Sequence, residues 1–148
     1  MSSSGVPAPG AEPTAQDATG IDRLLEHSRR CLRRVTAVET KAAMARGAVL
    51  VDIRSEVQRR AGVVPGSIFI PRNVLEWRAD PSSVYQDARL IMRAGPLILM
   101  CAEGYQSSLA AATLHQLGVA DATDLIDGYD GWVTAGLPIE PGPPVAEA

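Results

Sequence analysis

The chain has 148 residues, of which 46% are hydrophobic and 21% are charged, and this length suits one domain with one core. A net charge of -3 gives no bulk attraction for nucleic acid or an anionic membrane, and no apolar run nears the roughly 20 residues that span a bilayer. Two cysteines, Cys31 and Cys101, are too few for a disulfide framework and lack metal-ligand spacing. We therefore expect a protein of the reducing cytoplasm, with no nucleic-acid, membrane or metal partner.

Both ends of the chain are predicted to be unstructured. Residues 1–20 are rich in Ser, Pro, Ala, Gly and Thr without hydrophobic periodicity, and they lack the basic and apolar regions of a secretory signal. Residues 141–148, "PGPPVAEA", are predicted to be a flexible tail. A single domain over 21–140 is expected between them.

An added helix over 21–34 is predicted at the start of this domain. Its narrow apolar stripe contains Ile21, Leu24, Leu25, Ser28, Cys31 and Leu32. Arg29, Arg30, Arg33 and Arg34 lie mostly off the stripe. We expect them to form a solvated face rather than a surface for a partner or membrane, and we expect Cys31 to be a small core residue.

Helices and apolar strands alternate after this point. The capping box "TAVE", with Thr36 as N-cap and Glu39 at N3, starts a helix that ends near Gly47. Strands are predicted in "AVLVDIR", "GSIFIPR", "PLILMC" and "ATDLID", and helices over about 55–60, 83–93 and 106–116. This alternation predicts an α/β fold with a mainly parallel central sheet of about five strands and helices on both faces.

Chemically useful residues follow the ends of these strands. Ligands of parallel sheets bind beyond the carboxyl ends of the strands. The residues found there are Asp52 and Arg54, Pro71 and Arg72, Cys101 with its loop, and Asp127 with Gly128. If the strands are parallel, a thiol, an acid and two arginines should therefore face one cleft.

The loop after Cys101 is suited to holding an anion. Gly104 tolerates the positive φ that a sharp turn needs, and the N–H groups of the loop and of the following helix would point at the sulfur. Together with the helix dipole, they should stabilise a thiolate. A buried, inert cysteine is the alternative reading of this stretch alone, and the loop contains no Arg or Lys.

Four segments in order resemble the rhodanese-like domain family of single-domain sulfurtransferases, over about residues 35–140. "LVDIRS" resembles the first signature, a strand followed by Asp-x-Arg, and "GVVPGSIFIPRN" resembles the Gly-His-Ile-Pro-Gly-Ala segment. "CAEGYQSS" resembles the active-site loop Cys-x-x-Gly-x-Arg-Ser. "DGYDGWVTAGLPI" resembles the closing Gly-Gly-x-x-x-Trp-x-x-x-Gly-Leu-Pro signature.

The resemblance implies covalent catalysis by Cys101. Its thiolate would take the outer sulfur of a donor such as thiosulfate, and the persulfide would pass that sulfur to cyanide, a thiol or a sulfur-acceptor protein. The implied donor-binding residues are Ala102, Glu103, Gly104, Tyr105, Gln106, Ser107 and Arg72, supported by Asp52 and Arg54. No metal or organic cofactor is implied.

The loop departs from the family pattern at its charged position. Gln106 stands where the family usually has Arg, and Glu103 adds a negative charge, so both changes should weaken binding of thiosulfate. Arg72 or Arg54 could compensate from a neighbouring strand end. The alternatives are a structural partner to Asp52 or Glu56 for Arg54 and a solvated loop residue for Arg72. A low-activity interaction or sulfur-sensing module is therefore the alternative function. Related phosphatases and arsenate reductases use Cys-x5-Arg, which is disfavoured here because Ser107 occupies the arginine position.

Overall fold

The computed structural model describes residues 18–144, so most of the tail predicted over 1–20 and the last four residues of the tail predicted over 141–148 lie outside the described residues. The elements in chain order are α1 (Gly20–Arg29), α2 (Ala37–Ala45), β1 (Val49–Asp52), α3 (Glu56–Arg59), β2 (Ile68–Phe69), a 3-10 turn (Arg72–Val74), α4 (Leu75–Ala79), α5 (Ala88–Ile91), β3 (Leu97–Met100), α6 (Gln106–Gln116), β4 (Thr123–Asp124) and α7 (Gly128–Thr134). None of the helices within 18–144 is long and apolar enough to cross a membrane.

The strands form one parallel sheet in the order β2-β1-β3-β4. Val49 of β1 pairs with Leu97 of β3, so the two central strands start and end level with each other. Because all four strands run the same way, Asp52 and Met100 end at the same edge of the sheet. The α/β class and the parallel sheet predicted from the sequence are confirmed.

Alternate residues of the central strands pack against helices on opposite faces of the sheet. One face buries Val51, Leu97 and Leu99 with Leu75, Leu90, Ala110, Ala111 and Leu114 from α4, α5 and α6. The other buries Leu50, Ile98 and Met100 with Ala37, Tyr129 and Trp132 from α2 and α7. Such double burial explains why these strands are apolar runs and not alternating patterns.

The prediction of about five strands is wrong, because the sheet of the described residues has four. Val35 lies where a further edge strand would lie and makes one parallel bridge to Leu125. Its N–H donates to the Asp124 carbonyl at 3.1 Å, and its own carbonyl accepts from the Ile126 N–H at 2.8 Å. The next residue, Thr36, is already the N-cap of α2, so the pairing cannot extend.

The N-terminal helix starts one residue before its predicted start and ends five residues before its predicted end, over Gly20–Arg29 instead of 21–34. Thr19 caps α1 through a capping box with Asp22, and regular helix stops at Arg29 instead of continuing to residue 34. The chain must leave α1 there so that Val35 can reach the sheet. Cys31, predicted to be a core residue, is exposed on this departing segment.

The region between β2 and β3 also differs from the sequence prediction. The helix expected over about 83–93 contracts to α5, which starts after the N-cap Asp87. The side chains of Asp80 and Ser83 accept hydrogen bonds from the backbone N–H groups of Ser82 and Tyr85 and hold this segment in turns. Helices α4 and α7 were not predicted.

Candidate active site

Cys101 lies where β3 gives way to the loop that begins α6, and it is almost fully buried. Its Sγ accepts hydrogen bonds from the backbone N–H of Gly104 at 3.2 Å and of Ser107 at 3.4 Å. Both donors precede or open the first turn of α6, which also directs its positive dipole end at the sulfur. This geometry favours a sulfur anion, as the sequence suggests.

The loop is held in shape by Gly104 and by the start of α7. Gly104 has φ +89°, and a Cβ there would lie 2.7 Å from the Asp127 nitrogen, so a larger residue fits neither the backbone nor the space. The Tyr129 N–H donates to the Cys101 carbonyl at 2.8 Å, and the Asp130 N–H donates to the Ala102 carbonyl at 3.0 Å. The backbone around the sulfur is therefore fixed from two sides.

A buried hydroxyl–carboxylate network lies beneath the sulfur. The Ser107 hydroxyl is 3.3 Å from Cys101 Sγ and donates to Asp124 Oδ2 at 2.7 Å. The Ser108 hydroxyl donates to the same oxygen at 2.8 Å. Asp124 is completely buried at the end of β4, so it anchors the first turn of α6 to the sheet.

Arg34 neutralises this buried carboxylate. Its Nε donates to Asp124 Oδ1 at 2.9 Å, and its Nη2 donates to Asp124 Oδ2 at 3.2 Å. Nη2 also donates to the Gly104 carbonyl at 2.9 Å. One guanidinium thus connects the acid beneath the sulfur to the loop around it.

Arg29 reaches the same loop from the last turn of α1. Its Nη2 donates to the Gly104 carbonyl at 2.8 Å and its Nε to the Ser108 hydroxyl at 3.0 Å. Burial, followed by the nearby charge of Arg34, lowers the pKa of the Arg29 guanidinium, while Asp124, Tyr105 and Cys101 act in the opposite direction. The prediction of a solvated arginine face is therefore wrong for Arg29 and Arg34.

The mouth of the loop is open to solvent. The side chains of Glu103, Tyr105 and Gln106 are exposed, whereas Ala102 is half-buried and Ser107 is fully buried. The Tyr105 ring projects from the loop and lies 5.7 Å from the Arg29 guanidinium carbon. The N–H groups of Tyr105 and Gln106 donate to no residue within 18–144, which leaves them available to an anion.

Asp52 and Arg54 form a separate, closed ion-pair cluster. Asp52 accepts from Arg54 Nε at 3.0 Å and Nη2 at 2.9 Å, and from Arg59 Nε at 3.2 Å. Arg54 also donates to the Gly62 carbonyl at 2.8 Å, and its guanidinium carbon lies 3.9 Å from the centre of the Tyr129 ring. Its donors are already committed, so this arrangement favours the structural role.

Arg72 makes its side-chain hydrogen bond away from the sulfur, to Glu76, and its buried Nε has no hydrogen-bond partner among residues 18–144. Its guanidinium pairs with Glu76 one turn later, and its side chain lines an open pocket together with Ile53 and Phe69. No hydrogen bond within 18–144 joins Arg72 to the Cys101 loop. The structure thus brings together the loop residues expected from the sequence, but not the expected arginines.

Four residues that contact the loop have no site role predicted from the sequence: Arg29, Arg34, Ser108 and Asp124. A charged residue inside the short apolar strand "ATDLID" is a signal for Asp124, since an acid buried in a parallel strand needs a partner. No local signal identifies its partner, because Arg34 is 90 positions earlier in the chain.

The fold and site define a class: a parallel α/β domain with a cysteine at the carboxyl edge of a central strand, held by the amides of a short loop before a helix. The Rhodanese-like domain family matches residues 36–135. The chain belongs to this family.

Several relatives and solved structures are similar to the chain. The thiosulfate sulfurtransferase GlpE of Haemophilus influenzae is 28% identical over 108 residues, which cover 73% of this chain and 94% of that protein. A sulfurtransferase of Allochromatium vinosum is 28% identical over 91 residues, covering 62% and 77% of the two chains. A protein of Rhodopseudomonas palustris, described as a possible tyrosine phosphatase of unknown function, is 31% identical with a TM-score of 0.73 and coverage of 88% and 100%. The human single-domain sulfurtransferase TSTD1, at 24% identity, TM-score 0.56 and coverage of 68% and 95%, shares the fold.

Proposed function

We propose that the protein is a sulfurtransferase that moves a sulfane sulfur from a donor such as thiosulfate to cyanide or a thiol through a persulfide on Cys101. The observation that carries this proposal is the pair of backbone N–H donors, from Gly104 and Ser107, on the buried Sγ. Relatives that are thiosulfate sulfurtransferases support it. The reaction needs a thiol that remains reduced, which agrees with the expected cytoplasmic location.

Sulfur transfer to the enzyme is a displacement at the outer sulfur of the donor. The Cys101 thiolate forms a bond to that sulfur, the bond between the two donor sulfurs breaks, and sulfite leaves with the electron pair. The Gly104 and Ser107 N–H groups stabilise the thiolate before attack. We propose that the N–H groups of Tyr105 and Gln106 hold the negative charge of the donor and of the persulfide.

The second displacement regenerates the thiolate. An acceptor nucleophile attacks the outer sulfur of the persulfide, the persulfide bond breaks, and Cys101 leaves as the thiolate. Cyanide yields thiocyanate, and an acceptor thiolate yields its own persulfide. The exposed mouth formed by Glu103, Tyr105 and Gln106 would admit either a small acceptor or a cysteine of an acceptor protein.

The test is intact-mass measurement after incubation with thiosulfate, followed by addition of cyanide. We expect a gain of one sulfur atom that cyanide removes as thiocyanate. Cys101→Ser should gain nothing, and Cys31→Ser is the matched control because Cys31 is exposed and its thiol donates to the Ser28 carbonyl in α1. An adduct that survives in Cys101→Ser, or no adduct in the wild type, refutes the proposal.

Two alternatives remain measurable in the same samples. A low-activity sensing module would form the adduct but release little thiocyanate in steady state, and the absence of a cation at positions 102–107 favours this outcome.

The Rhodopseudomonas neighbour described as a possible tyrosine phosphatase favours a test with an aryl phosphate. We expect no phosphate release, because positions 102–107 provide no cation for the phosphoryl oxygens.

A further inference from the structure

We propose that Arg29, carried by α1, is the positioning and specificity-determining cation of the Cys101 loop and sets its preference for anionic sulfur donors. This inference rests on the proposed function, because it concerns the same reactive sulfur. Helix α1 precedes residues 36–135, which match the family, so the cation comes from a segment added to the family domain. The loop itself, over 102–107, carries only the negative charge of Glu103.

The two arginines at the loop differ in what balances their charge. Arg34 pairs through both Nε and Nη2 with the buried carboxylate of Asp124, so its positive charge is largely offset. Arg29 has no carboxylate within salt-bridge distance among residues 18–144. Of the two arginines that donate to the Gly104 carbonyl, Arg29 is therefore the one without a carboxylate partner in direct contact.

Arg29 acts on the loop through the Gly104 carbonyl. This carbonyl belongs to the same peptide unit as the Tyr105 N–H, which donates to no residue within 18–144. A charged donor on the carbonyl polarises that peptide unit and strengthens the N–H as a donor to an incoming anion. The same guanidinium also holds the Ser108 hydroxyl in the first turn of α6, so it fixes the direction of the loop amides.

The charge on the reactive sulfur also acts back on the Arg29 guanidinium. A negative charge on Cys101 favours the protonated form of Arg29, and Tyr105 and Asp124 act in the same direction. Mutual stabilisation of this kind predicts that a dianion such as thiosulfate is favoured over a neutral donor. If Arg29 only held α1 against α6 and its charge had no effect, the site would not distinguish an anionic donor from a neutral one.

The test compares alkylation of Cys101 by iodoacetate, an anion, with alkylation by neutral iodoacetamide, in a Cys31→Ser background. For Arg29→Gln, we expect the ratio of the iodoacetate rate to the iodoacetamide rate to fall by about threefold to tenfold at low salt, and the effect to shrink at high salt. Arg29→Lys, which keeps the charge, should restore most of the ratio. Arg30→Gln is the matched control, because it removes the same charge from an exposed side chain paired with Glu26.

The outcomes separate this inference from the proposed function. An unchanged ratio in Arg29→Gln, an equal fall in Arg30→Gln, or no restoration by Arg29→Lys overturns the role of the Arg29 charge. None of these measurements needs sulfur transfer, so a wild type that never accepts sulfur refutes the proposed function alone. Where the enzyme turns over, Arg29→Gln should also raise KM for thiosulfate more than it lowers kcat, and Arg29→Lys should lower that KM again.

Discussion

Replacing Asp124 by alanine removes the acceptor of four hydrogen bonds beneath the Cys101 loop. The donors are the hydroxyls of Ser107 and Ser108, and Nε and Nη2 of Arg34. The carboxylate is completely buried, whereas the Arg34 side chain remains 19% exposed. The substitution therefore leaves a partly buried cation and two buried hydroxyls without their shared partner.

The size of the effect follows from this geometry. Removing one member of a buried ion pair costs about 3–5 kcal/mol of unfolding free energy. Because part of the Arg34 guanidinium can reach water, we expect the lower end, about 3 kcal/mol. For a domain of this size, that loss lowers the melting temperature by roughly 6–12 °C. Asp124→Asn keeps one oxygen acceptor and should lie between the alanine variant and the wild type.

Thermal and urea unfolding measure this difference directly. Asp121→Ala is the matched control, since Asp121 lies just before β4 and pairs with Arg93 while half exposed, so its loss should cost at most about 1 kcal/mol. The rate at which thiosulfate loads Cys101 should fall in Asp124→Ala and not in Asp121→Ala. If the two alanine variants melt together, Asp124 is not the anchor that its contacts indicate.

Three further substitutions test the loop and α1. Gln106→Arg should lower KM for thiosulfate by adding a loop cation; an unchanged or higher KM in steady-state assays would show that a loop cation does not limit this site. Gly104→Ala should lower the free energy of unfolding in urea by about 1–2 kcal/mol because of the positive φ alone, and by more because the new Cβ would lie 2.7 Å from the Asp127 nitrogen. Gly118→Ala is the control for the effect of φ, since Gly118 has φ +87° and open space around it. Equal losses in the two variants would contradict the close approach at Gly104. Hydrogen bonds from the backbone and side chain of Thr19 lower the pKa of Asp22 below its ordinary value of 3.8. The stabilisation of α1 by Asp22 is therefore present above pH 3.8 and is lost as the pH falls through the lower folded-state pKa. Hydrogen exchange should show that the α1 amides lose protection at acid pH in the wild type and lose less of it in Asp22→Asn. Identical pH profiles in the two proteins would refute the role of Asp22 in stabilising α1.

Local patterns predicted the parts of the site that local physics determines. The bounds of α6 agree with the prediction over 106–116, because its N-terminus follows a glycine turn and its interior contains good helix formers. The capping box of Thr36 and Glu39 is confirmed for the same reason, since both partners lie within four residues. The loop amides around Cys101 follow from a strand, a short turn and a helix in that order.

The parts of the site that were not predicted depend on contacts between residues that are far apart in the sequence. Arg34 looks like a surface residue only when the helical wheel is continued past Arg29, where α1 ends. Arg29 lies in the last turn of α1, and its side chain reaches the Gly104 carbonyl of the loop. The helix stops when Val35 pairs beside β4, and this pairing brings Arg34 to Asp124. Nothing within the window of a helix or strand encodes that contact, since it depends on the end of one element meeting the edge of another.

The packing of α1 links the added helix to the state of the sulfur. Ile21 and Leu24, two members of its apolar stripe, remain about half exposed, so these two side chains contribute only part of the hydrophobic burial that they could. Its polar contacts to the site converge on Gly104 and Ser108 through Arg29. If the docked helix raises the affinity of the loop for an anion, then an anion in the loop must stabilise the docked helix by the same factor. If sulfur transfer proceeds as proposed, a bound anionic donor should therefore hold α1 more firmly than the donor-free loop does.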